Sequence, residues 1–275
     1  MRHRTVSLIL CLALLGACKK EELEIQNLNG GEIMALGHGG MGIMSTYPLD
    51  SPASLLMCLN SGADGTELDV QLTRDSVLVA YHSPDLSEGT TMSGRVWEHT
   101  WAELQEARFT GVPYTDHHLL SLEHFFSQVD VRDRAISLDI KLNASGTPEA
   151  VYYGVYVNAL LRLLDRGLFG DRLYIESQSP EFLEMLQARR PDLKLFIYPP
   201  DFATGIAVAR SSGLYGISID MNKVSAEQVN TAHAEGYWVA VWNAISKADN
   251  ENAIRLNPEI IQTDRLDHLI GLLQP

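Results

Sequence analysis

The chain has 275 residues, with 35 acidic against 21 basic side chains and a formal net charge of −14. That balance argues against a nucleic-acid binder, which needs a basic face, and an anionic substrate would have to meet a local cation, either a metal ion or a positioned Lys or Arg. Three cysteines, two of them within the first 18 residues, leave Cys58 without a partner, so no intramolecular disulfide framework is expected.

Arg2, His3 and Arg4 precede an almost unbroken apolar run from Val6 to Leu15. Terminal, led by basic residues and too short to span a bilayer, it reads as a secretory signal over residues 1–17. Leu15-Gly16-Ala17-Cys18 resembles the lipobox of bacterial lipoproteins, which implies lipidation of Cys18 as the mature N-terminus, an anchor in the membrane and an address in the bacterial cell envelope at the outer membrane. Loss of Arg2 and Arg4 leaves 19 basic side chains against 35 acidic, a mature charge near −16. The following Lys19-Lys20-Glu21-Glu22 is similar to the surface-export signal of Bacteroidetes lipoproteins, and equally to an ordinary charged spacer. Residues 18–31 are polar and aperiodic and are expected to form a flexible tether.

From residue 32 to 275, about 245 residues suffice for one large core. Strands are predicted at Ile33–Gly37, Thr66–Val70, Ala135–Ile140, Leu173–Glu176, Leu195–Tyr198, Gly216–Ile219, Trp238–Trp242 and Ile260–Thr263. Helices are predicted at Pro52–Asn60, Glu149–Arg166, Pro180–Arg189, Phe202–Ser211, Ala226–Glu235 and Asp249–Leu256. Eightfold strand-helix alternation is the pattern of an α/β TIM (β/α)8 barrel. An open doubly wound sheet alternates similarly, but no glycine-rich dinucleotide fingerprint follows the first strand. Residues 83–134 interrupt the rhythm as an insertion, expected on the loop side of the barrel where it would help wall a cleft. Cys58 lies in an apolar helical run and reads as a small core hydrophobe.

The most informative stretch is Gly65 to His82. Two β-rich runs flank Thr73-Arg74-Asp75-Ser76, too short for a crossover, so they should pair as a hairpin that adds a strand, Val77–Tyr81, to the eight. An even loop centred on Arg74 and Asp75 sets Leu72 opposite Val77 and Glu67 opposite His82. The period of two places Glu67 and Asp69 on one face. An odd loop would shift this register by one residue. In a barrel, chemistry gathers at the carboxyl ends of the strands, and those ends here carry His38, Glu67, Asp69, Asp139, Lys141, Trp242, Asn243 and Asp264.

Leu36-Gly37-His38-Gly39-Gly40, the run from Gly62 to Asp75, Val79 to Leu86, Leu138-Asp139-Ile140-Lys141, Val241-Trp242-Asn243 and Ile261-Gln262-Thr263-Asp264 together resemble the glycerophosphodiester phosphodiesterase family. The resemblance implies a barrel enzyme that cleaves small phosphodiesters with one divalent cation, calcium or magnesium. It implies His38 and His82 as acid and base, Glu67 and Asp69 as metal ligands and Lys141 as the phosphate-facing lysine. Asp139 stands where the family usually carries a ligand glutamate. Departures are Gly39 for the usual Arg, Pro48-Leu49-Asp50-Ser51-Pro52 for a Pro-Glu-Asn-Thr segment, Ser83 for the usual Asp and Gln178 for a Phe. They bear on which diester is cleaved, and they keep a silent binding lipoprotein on the same scaffold in play.

Independently of the family, Glu67, Asp69 and Asp139 are hard oxygen ligands suited to calcium or magnesium. Two imidazoles suit proton transfer on the two sides of a scissile bond. Trp242 reads as a substrate wall or as core packing. Asp264 reads as a cap or loop anchor. The remaining histidines show no zinc-like spacing.

Overall fold

The computed structural model describes residues 25–144 and 146–274. The signal segment and Cys18 therefore lie outside the described residues. The strands in chain order are β1 (Met34–Gly37), β2 (Gly65–Leu72), β3 (Leu78–Ala80), β4 (Leu120–Ser121) and β5 (Ala135–Ile140). They continue with β6 (Leu173–Ser177), β7 (Lys194–Ile197), β8 (Gly216–Asp220), β9 (Trp238–Ala244) and β10 (Ile260–Thr263). β1 pairs in parallel with both β10 and β2, which closes a ring of eight strands in the order β1, β2, β5, β6, β7, β8, β9, β10. β3 and β4 extend antiparallel from β2 outside the ring.

The helices are α1 (Pro52–Asn60), α2 (Trp101–Leu104), α3 (Leu122–Gln128), α4 (Glu149–Leu164) and α5 (Pro180–Gln187), then α6 (Phe202–Ser212), α7 (Ala226–Ala234), α8 (Lys247–Arg255) and α9 (Leu266–Leu273). Local chemistry explains their starts. Ser51 accepts from the Ser54 N–H at 3.1 Å ahead of Pro52, and Ser179 does the same for Phe182 ahead of Pro180. The chain thus forms the TIM barrel expected from its alternation, with α2, α3, α9 and β4 as elements additional to those predicted.

Alternation along the strands sorts the interior. Leu68, Val70 and Leu72 of β2 point outward into the main core with Tyr152, Tyr156 and Leu160 of α4. Inside the ring, the lower layer is apolar, built from Met34, Leu36, Ala135, Tyr174, Phe196, Ala240 and Ile260. Above it lies a buried polar layer of Glu67, Ser137, Glu176, Ser218 and Gln262. Asp69 and Asp139, neighbours in register, follow at the carboxyl ends. The barrel is therefore apolar at its base and acidic at its mouth, which gathers the ionisable groups at the carboxyl ends of the strands.

The hairpin register differs from the expectation. Leu72 pairs with Leu78, Gln71 with Val79 and Val70 with Ala80, one residue away from the even-loop register. The loop is odd: Ser76 N–H donates to Thr73 O at 3.0 Å, Ser76 adopts φ 65°, and Thr73 N–H closes on Val77 O at 2.9 Å. This is a three-residue connection with a bulge residue in the left-handed region, held further by Thr73 Oγ1 accepting from Val77 N–H at 2.8 Å. The insertion packs over the loop after β1, with the Tyr47 and Tyr114 rings 5.0 Å apart. It has its own small core around Tyr81, Leu86, Val96 and Phe109, and beyond His82 it supplies no residue to the lining of the central cavity.

Candidate active site

A cavity of about 180 Å³ opens at the carboxyl ends of the strands, lined among others by His38, Glu67, Asp69, His82, Asp139, Lys141, Glu176, Trp242 and Asp264. Every catalytic, metal and substrate-binding position expected from the sequence is in this one place. Carboxylate oxygens of Glu67, Asp69 and Asp139 lie within 4.8 Å of one another, and ligand atoms of His38, Asp69 and His82 meet the same limit. Asp69 belongs to both groups. The His38 and His82 rings are 6.4 Å apart, nearly perpendicular.

His38 follows β1, where Nδ1 lies 2.8 Å from Asp264 Oδ1, just past β10. The same carboxylate oxygen accepts from Ile43 N–H at 2.9 Å, so Asp264 fixes both the ring and the loop behind it. Burial pulls the His38 pKa down, but the hydrogen bond and charge of Asp264, with Asp69 and Asp50, outweigh it and raise the value above 6.5. Asp264 anchors a loop, as expected, and its contact with His38 adds a function the sequence reading did not assign.

His82 reaches the cavity by a different route from the cross-strand pairing first expected. The ladder ends at Ala80, after which Tyr81 N–H donates to Asp69 O at 3.0 Å. Gln71, on the same inward face as Glu67 and Asp69, donates its Nε2 to Tyr81 O at 2.7 Å and to Ser83 O at 2.9 Å. One buried amide thus grips the carbonyls on either side of His82. The signal for this was present in the sequence, a polar residue at the third inward position of β2, but it carried no hint of its partner.

The carboxylates are held separately. Gly39 N–H donates to Glu67 Oε2 at 3.0 Å. Asp50, fully buried with φ 59°, accepts the Asp69 N–H at 3.0 Å, an N–H that β1 is too short to reach. Burial and then the charges of Asp69 and Glu67 push the Asp50 pKa well up. Lys141 Nζ sits 2.8 Å from Asp69 Oδ1 and 2.6 Å from Asp139 Oδ2. Although burial opposes it, those two charges raise the Lys141 pKa, so the amine stays charged. Burial tends to raise Asp69 as well, yet Lys141, His82 and His38 lower it overall, whereas burial leaves Glu67 and Asp139 raised. Glu176, missed in the sequence, receives hydrogen bonds from Ser137 Oγ and Gln262 Nε2, and burial with the Asp139 charge pushes it up to about 7.

The donor set fits a hard divalent cation. Three buried carboxylates face one ammonium, and Asp69 Oδ2 is buried without a hydrogen-bond partner. Gly39 sits at φ 51°, and a Cβ there would lie 2.8 Å from Leu49 Cδ2, so a larger residue would require the Leu49 side chain to shift. Among the described residues, Lys141 is therefore the one Lys or Arg lining the cavity. Trp242 lines it as well, its ring 4.9 Å from that of Tyr198. Cys58 is buried against Gly65 O at 3.3 Å with its thiol pushed up to about 11, an inert core position.

The glycerophosphoryl diester phosphodiesterase family model matches residues 42–268. A glycerophosphodiester phosphodiesterase of Caldanaerobacter subterraneus is 25% identical over 238 residues, covering 85% of this chain and 95% of its own. One from Bacillus altitudinis is 24% identical over 238 residues, covering 84% and 95%. Among solved structures, an Oleispira antarctica phosphodiesterase in complex with the product sn-glycerol-3-phosphate has a TM-score of 0.78 at 17% identity, covering 91% of this chain and 100% of that one. A glycerophosphodiester phosphodiesterase from Parabacteroides distasonis gives 0.74 at 19%, covering 88% and 97%. These structural likenesses bear on the fold. With the family match spanning most of the chain, the protein belongs to the glycerophosphoryl diester phosphodiesterase family.

Proposed function

We propose that the protein hydrolyses glycerophosphodiesters to glycerol 3-phosphate and an alcohol, with His38 and His82 as the proton-transfer pair. The observation that carries this reading is the position of Asp69, whose oxygens lie within 4.8 Å of ligand atoms in both the carboxylate trio and the two imidazoles. Glu67, Asp69 and Asp139 are the residues to hold one calcium or magnesium ion, which when bound supplies polarisation of the phosphoryl oxygens and offsets negative charge.

His38, whose pKa Asp264 raises, is suited to deliver a proton to the leaving alkoxide as the P–O bond breaks. His82 is suited to accept the proton of the attacking oxygen, either from water or from a hydroxyl of the substrate's own glycerol; the latter route closes a cyclic phosphate that a second attack, by water, must open to give glycerol 3-phosphate. Lys141 adds a fixed positive charge for the phosphate, and Trp242 with Tyr198 walls the side of the cavity. With Gly39 in place of the usual Arg, Lys141 is left as the cation for that phosphate contact, which favours a substrate held by other parts of its structure. Upstream, the lipobox supports residence in the cell envelope, anchored through Cys18.

The test is a panel of purified diesters, glycerophosphocholine first, incubated with calcium, magnesium or chelator. Turnover that requires the ion supports the reading. No turnover on any member under any condition would favour a silent binding module, the second reading that Gly39 keeps in play.

A further inference from the structure

The N-terminal segment is not free up to residue 31. From Gln26 onwards it is fastened to the base of the barrel, the end opposite the cavity. Gln26 N–H donates to Asn257 Oδ1 at 2.9 Å, Asn27 Nδ2 to Pro258 O at 2.8 Å and Leu28 N–H to Glu259 Oε1 at 2.8 Å. Asn257 to Glu259 lead directly into β10 from its amino end. Glu259 is fully buried there, also accepting from Val239 N–H at 2.6 Å and meeting His233 Nε2 at 3.0 Å. Asn27 Oδ1 accepts from Asn29 and Gly31 N–H at 3.1 Å, which turns the segment back into β1. His38, His82, Asp69 and Asp139 all lie at the other ends of their strands.

We infer that the base of the barrel faces the bilayer and the catalytic mouth faces away from it, so that the enzyme draws a water-soluble diester from the aqueous phase and not a lipid from the membrane that anchors it. This rests on the reading of Cys18 as the lipidated residue. Seven residues lie between Cys18 and Gln26, and the eight steps from one to the other make a leash of at most about 28 Å even when fully extended. The 16-residue α4 alone runs about 24 Å along the flank of the barrel, and the connecting loops add height at both ends. To lay the mouth on the membrane, the leash would have to climb the whole flank almost fully stretched, which the lost chain entropy opposes.

Charge does not decide between the two ends: the carboxylates of the mouth, Glu67, Asp69, Asp139, Glu176 and Asp264, are buried and face Lys141 and the proposed divalent cation. At the base, Arg190 pairs with Asp192 at 2.8 Å and Arg132 with Asp130 at 2.6 Å, leaving these charges balanced. The competing surface is the mouth's own rim, where Ile43 and Ile245 are 49% and 39% exposed.

The experiment uses the full chain, made with its leader and inserted in phosphatidylethanolamine and phosphatidylglycerol vesicles, with mass spectrometry reading the lipid on Cys18. Two variants, each with one added cysteine, carry a fluorophore there, Asp171→Cys just before β6 at the base and Lys247→Cys just after β9 at the mouth; lipidated Cys18 and buried Cys58 are not expected to label. With nitroxide-headgroup lipid, quenching at position 171 is expected to be at least threefold that at position 247. Equal or reversed quenching overturns the proposal, as does a Cys18 without lipid. Neither readout depends on catalysis, so failure of the enzymatic reading is separately visible. In the activity arm, the vesicle-bound chain and a Cys18→Ala form are expected to cleave soluble glycerophosphodiester at equal rates. Preferential cleavage of a diester lipid in the same vesicles overturns the inference.

Discussion

His38 and His82 are held in place by residues outside the proposed proton-transfer pair, and this is where single substitutions are most informative. Asp264 raises the His38 pKa above 6.5 by hydrogen bond and charge, so the protonated form persists above that pH and is lost as pH rises through the folded value. Asp264→Asn removes the charge, and the basic limb of the pH–rate profile is expected to move to lower pH, a shift read directly from kcat between pH 5 and 9. Gln71→Met keeps the length of the side chain but loses both donors to the carbonyls that flank His82. Its kcat is expected to fall roughly tenfold through misplacement of the imidazole. In a His82→Ala background the same change should add no further loss, which a general unfolding effect would not reproduce. The residue types were legible in the sequence because acidic and imidazole groups on an apolar frame need a reason to be there. Their supports were not, because Gln71, Asp50 and Glu176 act through partners distant in the chain.

At the scale of elements, the eight strands stood out because both faces of a parallel barrel strand are covered, giving short apolar runs between amphipathic helices. The hairpin register did not. An even loop satisfied the apolar pattern equally well, and nothing local distinguishes it from the observed odd loop except the willingness of Ser76 to adopt φ 65°. That residue therefore carries strain a glycine would not. Ser76→Gly is expected to stabilise the fold by about 0.5–1 kcal/mol in urea denaturation, whereas Ser76→Val should destabilise it. The one-residue shift also shows why His82 needed a side-chain clamp: the ladder alone places Tyr81, not His82, beside Asp69.

For the whole molecule, the interior polarity rises from the apolar layer of Tyr174 and Phe196 to the carboxylates at the mouth. Concentrating Glu67, Asp69 and Asp139 around one lysine is costly unless a cation is available, so ligand binding and stability are linked. Saturating calcium or magnesium, at about 100 times its Kd, is expected to stabilise the wild type by about 2.7 kcal/mol, seen as a rise in Tm that EDTA reverses. Glu67→Gln should lose most of that rise while retaining the fold. The sequence revealed the barrel and the clustered site, but the place where the N-terminal segment docks became visible only with the base of the barrel in view.

The most direct measurement is phosphorus NMR of glycerophosphocholine incubated with the wild type, His38→Ala and His82→Ala, each with and without a chelator. The account predicts metal-dependent appearance of glycerol 3-phosphate with the wild type and a loss of about a hundredfold or more in each variant. Near-normal product formation by either histidine variant, or full activity in the chelator, would contradict it.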